Sequence, residues 1–189
     1  MIKAIIFDCF GVVISDTLES AYSSLGGKFQ EDLLTIKEVL RASDTGKITS
    51  SNAVFAEMLG VTESTFSTAI SSGRAVNQEL LDYISSTLAP KYKIAMLSNV
   101  GRGRLPEIFG VGFLEKYFEK VIASGDIGFA KPEARAYEIT ADALKVRLDE
   151  CIFIDDRIEY IEGAQQVGMK TILYENFDKF KEQLGQVIA

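Results

Sequence analysis

Short, almost wholly apolar runs recur along the chain and alternate with stretches in which apolar residues are spaced by three or four. One run, 5–7, lies near the N-terminus, and the others follow at Lys93–Ser98, 121–124, Cys151–Asp155 and 170–174. Continuous apolar runs of this length predict strands that are buried on both faces. Strands that alternate with helices predict right-handed crossovers and a parallel sheet covered on both sides. The predicted fold is therefore α/β, a Rossmann-like doubly wound sheet.

The connecting stretches carry the helical part of this prediction. Residues 105–116, 132–144 and 158–167 have helical character, and Pro132 stands where a helix tolerates proline, in its first turn. Residues 15–90 contain no convincing strand, whereas 33–40 and 76–88 have the spacing of amphipathic helices. We therefore predict a helical cap domain at 15–90, inserted into a core formed by 1–14 and 91–189.

Composition narrows the range of partners. The 189 residues carry a formal net charge of −7, which argues against nucleic acid or an anionic membrane as the main partner. No apolar run approaches the roughly 20 residues of a membrane span, and no signal peptide is evident, so we expect a cytoplasmic protein. A local positive site for a small anion remains compatible with this charge.

The chain contains no histidine and only two cysteines. Histidine-based general bases, Ser-His-Asp arrangements and the usual zinc sites are therefore excluded. Catalysis would have to use carboxylates, lysine, hydroxyl groups, a thiol or a hard metal ion.

Carboxylates follow two of the predicted strands. Asp8 ends the first apolar run, while Asp155 and Asp156 end the run that starts at Cys151. The carboxyl ends of parallel strands form the edge where open α/β sheets bind ligands. One aspartate is explained by capping of the following helix, but three converging carboxylates suit Mg²⁺ better.

Groups suited to an anion follow other predicted strands. Ser98 and Asn99 come directly after Leu97 and offer a hydroxyl and backbone N–H groups, and Lys131 precedes a predicted helix start. Each is unremarkable alone, but together they place positive potential beside the carboxylates. Weaker candidates for substrate contacts are Lys47, Arg74, Asn77, Arg102 and Arg104.

Four segments in this order carry a resemblance that covers nearly the whole chain. They are FDCFGVV at 7–13, LSN at 97–99, AKPEARAY at 130–137 and FIDDRIEYIEGAQQVGM at 153–169. The chain resembles the haloacid dehalogenase (HAD) superfamily, in the branch that has a helical cap after the first strand.

The resemblance implies an aspartyl-phosphate mechanism on a small phosphorylated substrate. Asp8 would be the nucleophile, already ionised at neutral pH if its pKa is ordinary, and Lys131 would assist it. The residues implied to hold Mg²⁺ are Asp8, Asp156, the carbonyl of Phe10, and Asp155 as a ligand or a neighbour of one. The residues implied to bind the phosphoryl oxygens are Ser98, Asn99 and Lys131.

Phe10 departs from the pattern of the family's phosphatases, which usually have a general acid two residues after the nucleophile. Its presence implies a slow phosphatase, one biased to good leaving groups, or one with an acid from another position. A metal-independent 2-haloacid dehalogenase is an alternative, because halide departs without a proton, although the Asp155–Asp156 pair does not fit it. A non-catalytic HAD-like binding module is a further alternative. Tyr160 also stands where the family usually has asparagine.

Overall fold

The computed structural model describes residues 1–188 and contains a five-stranded parallel sheet. The spatial order is β3-β2-β1-β4-β5, and Phe7 lies opposite both Met96 and Ile154, so the central strands end at one edge. The strands are β1 (Ala4–Phe7), β2 (Lys93–Ser98), β3 (Lys120–Ala123), β4 (Cys151–Asp155) and β5 (Lys170–Leu173). The predicted fold class is confirmed.

In the part of the chain that the structure describes, ten α-helices connect or follow the strands, and some of them cover both faces of the sheet. They are α1 (Leu18–Ser24), α2 (Leu33–Asp44), α3 (Ser51–Leu59), α4 (Glu63–Ser72), α5 (Gln78–Tyr83), α6 (Arg104–Phe109), α7 (Ser124–Ile127), α8 (Ala134–Leu144), α9 (Ile158–Gln166) and α10 (Phe177–Ile188). Alternate residues of β1 point to opposite faces. Ile5 and Phe7 join a cluster that includes residues of α5 and α10, whereas Ala4 and Ile6 join one that includes residues of α8 and α9.

Several element boundaries differ from the sequence prediction. The predicted helix at 105–116 ends at Phe109, because Gly110 and Gly112 have φ angles of 82° and 78° that interrupt it. Ser124 begins α7 instead of ending β3, and Pro132 lies before α8, which starts at Ala134. The C-terminal helix α10 was not predicted.

The segment between β1 and β2 is helical, as its sequence indicates. Helices α1 to α4 pack around their own apolar cluster, which contains Tyr22, Phe55 and Phe66. Helix α5 and the π-helical turn after it (Ile84–Leu88) instead pack with the cluster on the sheet. The division into a core and a cap at 15–90 stays a prediction. Within residues 1–188, no helix has both the length and the apolar character needed to cross a membrane.

Candidate active site

A buried lysine joins the carboxylates at the ends of two neighbouring strands. The β1–β4 pairing extends to the Asp8 N–H, which donates to the Ile154 carbonyl at 2.8 Å, and so brings Asp8 beside Asp155. Lys131 Nζ lies 2.5 Å from Asp8 Oδ1 and 2.6 Å from Asp155 Oδ2. All three side chains are buried. Because water is excluded, each charge depends on the others for its stabilisation.

Asn99 holds the backbone of Lys131 in this position. Its Oδ1 accepts a hydrogen bond from the Lys131 N–H at 2.8 Å, and its Nδ2 donates to the Lys131 carbonyl at 2.9 Å. The same Nδ2 lies 3.3 Å from the Tyr160 hydroxyl, and Lys131 Nζ lies 4.8 Å from the centre of the Tyr160 ring. Tyr160 therefore braces the loop in the place where the family pattern has asparagine.

Asp156 completes a group of three carboxylates. Asp8, Asp155 and Asp156 each present an oxygen, and these oxygens all lie within 4.8 Å of one another. Asp156 is more exposed than the other two, and its carboxylate lies against Gly11. Gly11 has a φ of +87°, and a Cβ at this position would lie 2.2 Å from Asp156 Oδ2. Only glycine fits this turn and this close approach.

The charges of the group do not balance. Burial raises the pKa of Asp8 to about 7; Lys131 opposes the rise and Asp155 adds to it. Burial and then repulsion from Asp155 raise the pKa of Asp156 to about 6. Burial lowers the pKa of Lys131, but Asp8 and Asp155 raise it overall, so the lysine stays charged. One lysine faces three carboxylates, and the pKa of Asp8 stays above its ordinary value in this arrangement.

A cavity of about 500 Å³ opens beside these groups. Asp8, Phe10, Asn99 and Lys131 line it, whereas Ser98 and Asp155 are buried outside its lining. Ser98 Oγ has no hydrogen-bond partner within residues 1–188. The volume is within the usual range for small-molecule sites.

Of the five weaker candidates for substrate contacts, two line the cavity and three do not. Arg74 and Arg104 line the cavity. Asn77 instead donates to the Val12 carbonyl and to the Tyr174 hydroxyl, which joins two elements of the fold. Arg102 is exposed, 3.6 Å from Asp126. Lys47 is not among the residues that line the cavity.

Two further charged residues of the cavity had no signal in the sequence. Asp44 is the last residue of α2 and lines the cavity. Burial raises its pKa to about 7, although the positive charges of Lys131 and Arg157 oppose the rise. Arg157 also lines the cavity and pairs with Glu159.

The doubly wound sheet, the carboxylate at the end of its first strand, the buried lysine and the late acidic pair form the arrangement that the sequence resemblance implies. A family model described as haloacid dehalogenase-like hydrolase matches residues 2–168, so the chain belongs to this family. The resemblance found in the sequence is confirmed at the level of the superfamily.

Known proteins similar to this chain include enzymes of two kinds. A phosphatase from Mycobacterium tuberculosis is 42% identical over 60 residues, which are 32% of this chain and 28% of that protein. An (S)-2-haloacid dehalogenase from Pseudomonas is 24% identical over 109 residues, which are 58% of this chain and 48% of that protein. The chain thus spans less than half the length of either relative.

A solved structure is similar over nearly the full length. It is a HAD family enzyme from Bacteroides thetaiotaomicron, crystallised with magnesium and inorganic phosphate. The two structures superpose with a TM-score of 0.75, and their sequences are 24% identical. The match covers 95% of this chain and 99% of the Bacteroides enzyme. This likeness supports the fold described above.

Proposed function

We propose that the protein is a Mg²⁺-dependent phosphatase that acts on a small phosphorylated molecule through an aspartyl-phosphate on Asp8. The observation that carries the proposal is the contact of Asp8 with buried Lys131 at the wall of a cavity, beside two further carboxylates. The similar phosphatase and the similar structure crystallised with magnesium and phosphate support the same chemistry.

The reaction would proceed in two displacements. An Asp8 oxygen attacks phosphorus, a P–O bond forms to the carboxylate, and the bond to the leaving oxygen breaks with its electron pair. Water then attacks phosphorus, the P–O bond to the Asp8 carboxylate breaks, and the proton that water loses passes through solvent to the departed oxygen. Lys131 keeps Asp8 oriented and attracts the phosphoryl oxygens. Asn99 maintains this arrangement through the Lys131 backbone, and the buried Ser98 hydroxyl, which has no hydrogen-bond partner within residues 1–188, would bind a phosphoryl oxygen.

The donor set fits a hard divalent cation. Oxygens of three carboxylates, on Asp8, Asp155 and Asp156, lie within 4.8 Å of one another. Their combined negative charge when ionised is larger than the positive charge of Lys131, and carboxylate oxygens are suitable ligands for Mg²⁺. The residues proposed to hold Mg²⁺ are Asp8, Asp156 and the carbonyl of Phe10, with Asp155 as a ligand or a neighbour of one. When bound, Mg²⁺ supplies positive charge that favours ionised carboxylates and offsets the charge of the phosphate.

The helical segment supplies the other side of the cavity. Leu18, Asp44, Phe55 and Ile70 belong to α1 to α4 and line the cavity that also contains Asp8. We propose that this part of the predicted cap domain closes over the substrate and excludes water.

The proposed function is tested with p-nitrophenyl phosphate. We expect hydrolysis with Mg²⁺, loss of hydrolysis with a chelator, and loss in Asp8→Asn, because an amide cannot act as the nucleophile. A phosphoryl adduct on Asp8, trapped by acid and located by mass spectrometry, would support the intermediate directly. Asp126→Asn, at an exposed carboxylate, is the control that should keep full activity. Hydrolysis by the chelated protein or by Asp8→Asn would contradict the mechanism.

A second candidate function is favoured by Phe10. A phenylalanine beside the nucleophile cannot donate a proton, and halide departure needs none, so Asp8 could displace halide from a 2-haloacid. The similar Pseudomonas dehalogenase is consistent with this. Asp155 and Asp156 argue against it, because they would repel a carboxylate substrate. Chloride release from 2-chloropropionate without Mg²⁺ would favour this reaction over the phosphatase.

A further inference from the structure

Arg74 is a cation at the wall of the cavity. It follows α4, it is partly buried, and its Nε is buried without a hydrogen-bond partner in the described chain, residues 1–188. Its guanidinium carbon lies 5.9 Å from the centre of the Phe10 ring. No carboxylate within residues 1–188 forms an ion pair with Arg74, so its charge at the cavity wall has no close partner in this part of the chain.

The neighbouring charges leave Arg74 available to a ligand. Burial lowers the pKa of Arg74, and repulsion from Arg104 lowers it further. Arg104 is itself engaged by Glu107 at 2.5 Å. Asp16 also lines the cavity and attracts Arg74, but it is exposed and its Oδ1 accepts a hydrogen bond from the Leu18 N–H. An anion bound at Arg74 would offset its repulsion from Arg104 and supply a counterion.

We propose that Arg74 binds a second anionic group of the substrate, a carboxylate or a phosphate, remote from the phosphoryl group that Asp8 attacks. The proposal rests on the proposed function and names the substrate class: a small organic phosphate that carries another negative charge. The reacting phosphoryl group already meets a buried cation in Lys131, whereas Arg74 lies against the Phe10 ring, two residues beyond the nucleophile.

The surroundings of Arg74 favour such an ion pair. Phe10, Leu40, Ile70 and Ile108 give the cavity apolar walls. An ion pair is stronger beside apolar walls than in water, because the local dielectric constant is lower. A guanidinium group also has the planar geometry that matches carboxylate and phosphate oxygens.

The test compares aryl phosphates that differ in one charge. The probes are 4-carboxyphenyl phosphate and its amide, 4-carbamoylphenyl phosphate, which have similar size and similar leaving groups. In Arg74→Gln we expect kcat/KM for the carboxylate probe to fall about 10- to 100-fold, mainly through KM. The amide probe should change less than about 3-fold. Use of 1,4-phenylene bisphosphate in parallel shows whether carboxylate or phosphate is preferred.

Two further variants serve as controls for the effect of Arg74→Gln. Arg74→Lys keeps the charge and should restore part of the preference for the carboxylate probe. Arg135→Gln removes an exposed arginine on α8 and should leave both probes unchanged. Equal losses for the carboxylate and amide probes in Arg74→Gln would overturn the proposal, as would no loss for either anionic probe.

Failure of the proposed function would be recognised separately, because the wild-type protein would then hydrolyse neither probe. Binding of 4-(phosphonomethyl)benzoate and its amide, which cannot be hydrolysed, would be measured by calorimetry in that case. Tighter binding of the acid that is lost in Arg74→Gln would support the second-anion site without phosphatase activity. Equal affinities of the wild-type protein for acid and amide would overturn it.

Discussion

The carboxylate of Asp156 lies against the backbone of Gly11, so closely that a Cβ at position 11 would meet Asp156 Oδ2 at 2.2 Å. The contacted atoms belong to a short side chain that helps to form the three-carboxylate group. The turn after β1 therefore sets the position of a residue that follows β4.

Gly11→Ala should displace Asp156 and weaken the proposed Mg²⁺ site. A shift of about 1 Å in a reacting group can cost about 100-fold in rate, and we expect a loss of kcat/KM of that order at limiting Mg²⁺. The check is a Mg²⁺ titration of p-nitrophenyl phosphate hydrolysis, in which the variant should require more Mg²⁺.

Gly26→Ala is the matched control for backbone strain. Gly26 has a φ of +89°, close to that of Gly11, but a Cβ at this position would have nothing within 4 Å of it. Gly26→Ala should therefore show the backbone strain of alanine at positive φ without an increase in the Mg²⁺ concentration that the enzyme requires. Equal Mg²⁺ requirements for the two variants would show that strain, and not contact with Asp156, explains the effect.

Lys131→Met should destabilise the protein as well as abolish activity. Removal of one partner from a buried ion pair typically costs about 3–5 kcal/mol, because it leaves uncompensated charge. Here two carboxylates, on Asp8 and Asp155, lose the same partner. Urea denaturation at pH 8, where protonation of Asp8 gives less relief, measures the loss.

Lys3→Met provides the surface comparison for this prediction. Lys3 Nζ lies 2.6 Å from Glu150 Oε1, but the lysine side chain is 59% exposed. Exposed pairs contribute about 0–1 kcal/mol. A loss of no more than about 1 kcal/mol in both variants would mean that the buried lysine contributes little to stability.

Asp44→Asn should stabilise the protein at neutral and alkaline pH. Burial raises the pKa of Asp44 from 3.8 to about 7, so the folded state binds a proton more tightly than the unfolded state does. Stability is therefore lost as pH rises from about 4 through 7. Asparagine has no charge to bury, so the variant should have the higher Tm above pH 7 and no advantage near pH 4.

The difference between the melting temperatures of the wild-type protein and Asp44→Asn across this pH range reports on Asp44 alone, because Asp8 and Asp156 titrate in both proteins. A difference of about 1 kcal/mol corresponds to roughly 2–4 °C in a protein of this size. Asp126→Asn, at an exposed site, is the control. A Tm advantage of Asp44→Asn that does not grow with pH would contradict the assignment.

The sheet and its carboxylates could be predicted because strands buried on both faces leave a clear apolar pattern. Once β1 and β4 are adjacent and parallel, Asp8 and Asp155 must end at the same edge. The sequence predicted only that Lys131 adds positive potential near the carboxylates. It did not predict that Lys131 contacts both Asp8 and Asp155 and so bridges them. The bridge depends on the Asn99 contacts with the Lys131 backbone, which no local pattern encodes.

The rest of the cavity depends on tertiary packing. Asp44 and Arg74 reach it from the helical segment, and their placement depends on how that segment lies against the sheet. A single sequence carries no periodic signal for such a contact. The end of α6 at Phe109 was missed for another reason, because the apolar pattern continues beyond Gly110 although the helix does not.

Phe10→Asp should raise turnover of alkyl phosphates more than that of p-nitrophenyl phosphate. Phe10 lines the cavity two residues beyond Asp8, and an aspartic acid there could protonate an alkoxide as it leaves. General acid catalysis contributes about 10²–10⁴-fold where it operates fully, and a gain of about 10-fold or more on β-glycerophosphate is expected. Nitrophenolate leaves without a proton, so its release should change little.

Phe10→Asn separates proton donation from the removal of the ring. Asparagine has nearly the same size as aspartic acid and removes the same contact with Arg74, but it cannot donate a proton as a carboxylic acid does. A gain in Phe10→Asp that is absent in Phe10→Asn identifies the missing acid as the limit on alkyl phosphates. Equal gains would assign the effect to the space that the ring vacates. No gain in either variant would mean that another group already supplies the proton or that another step limits turnover.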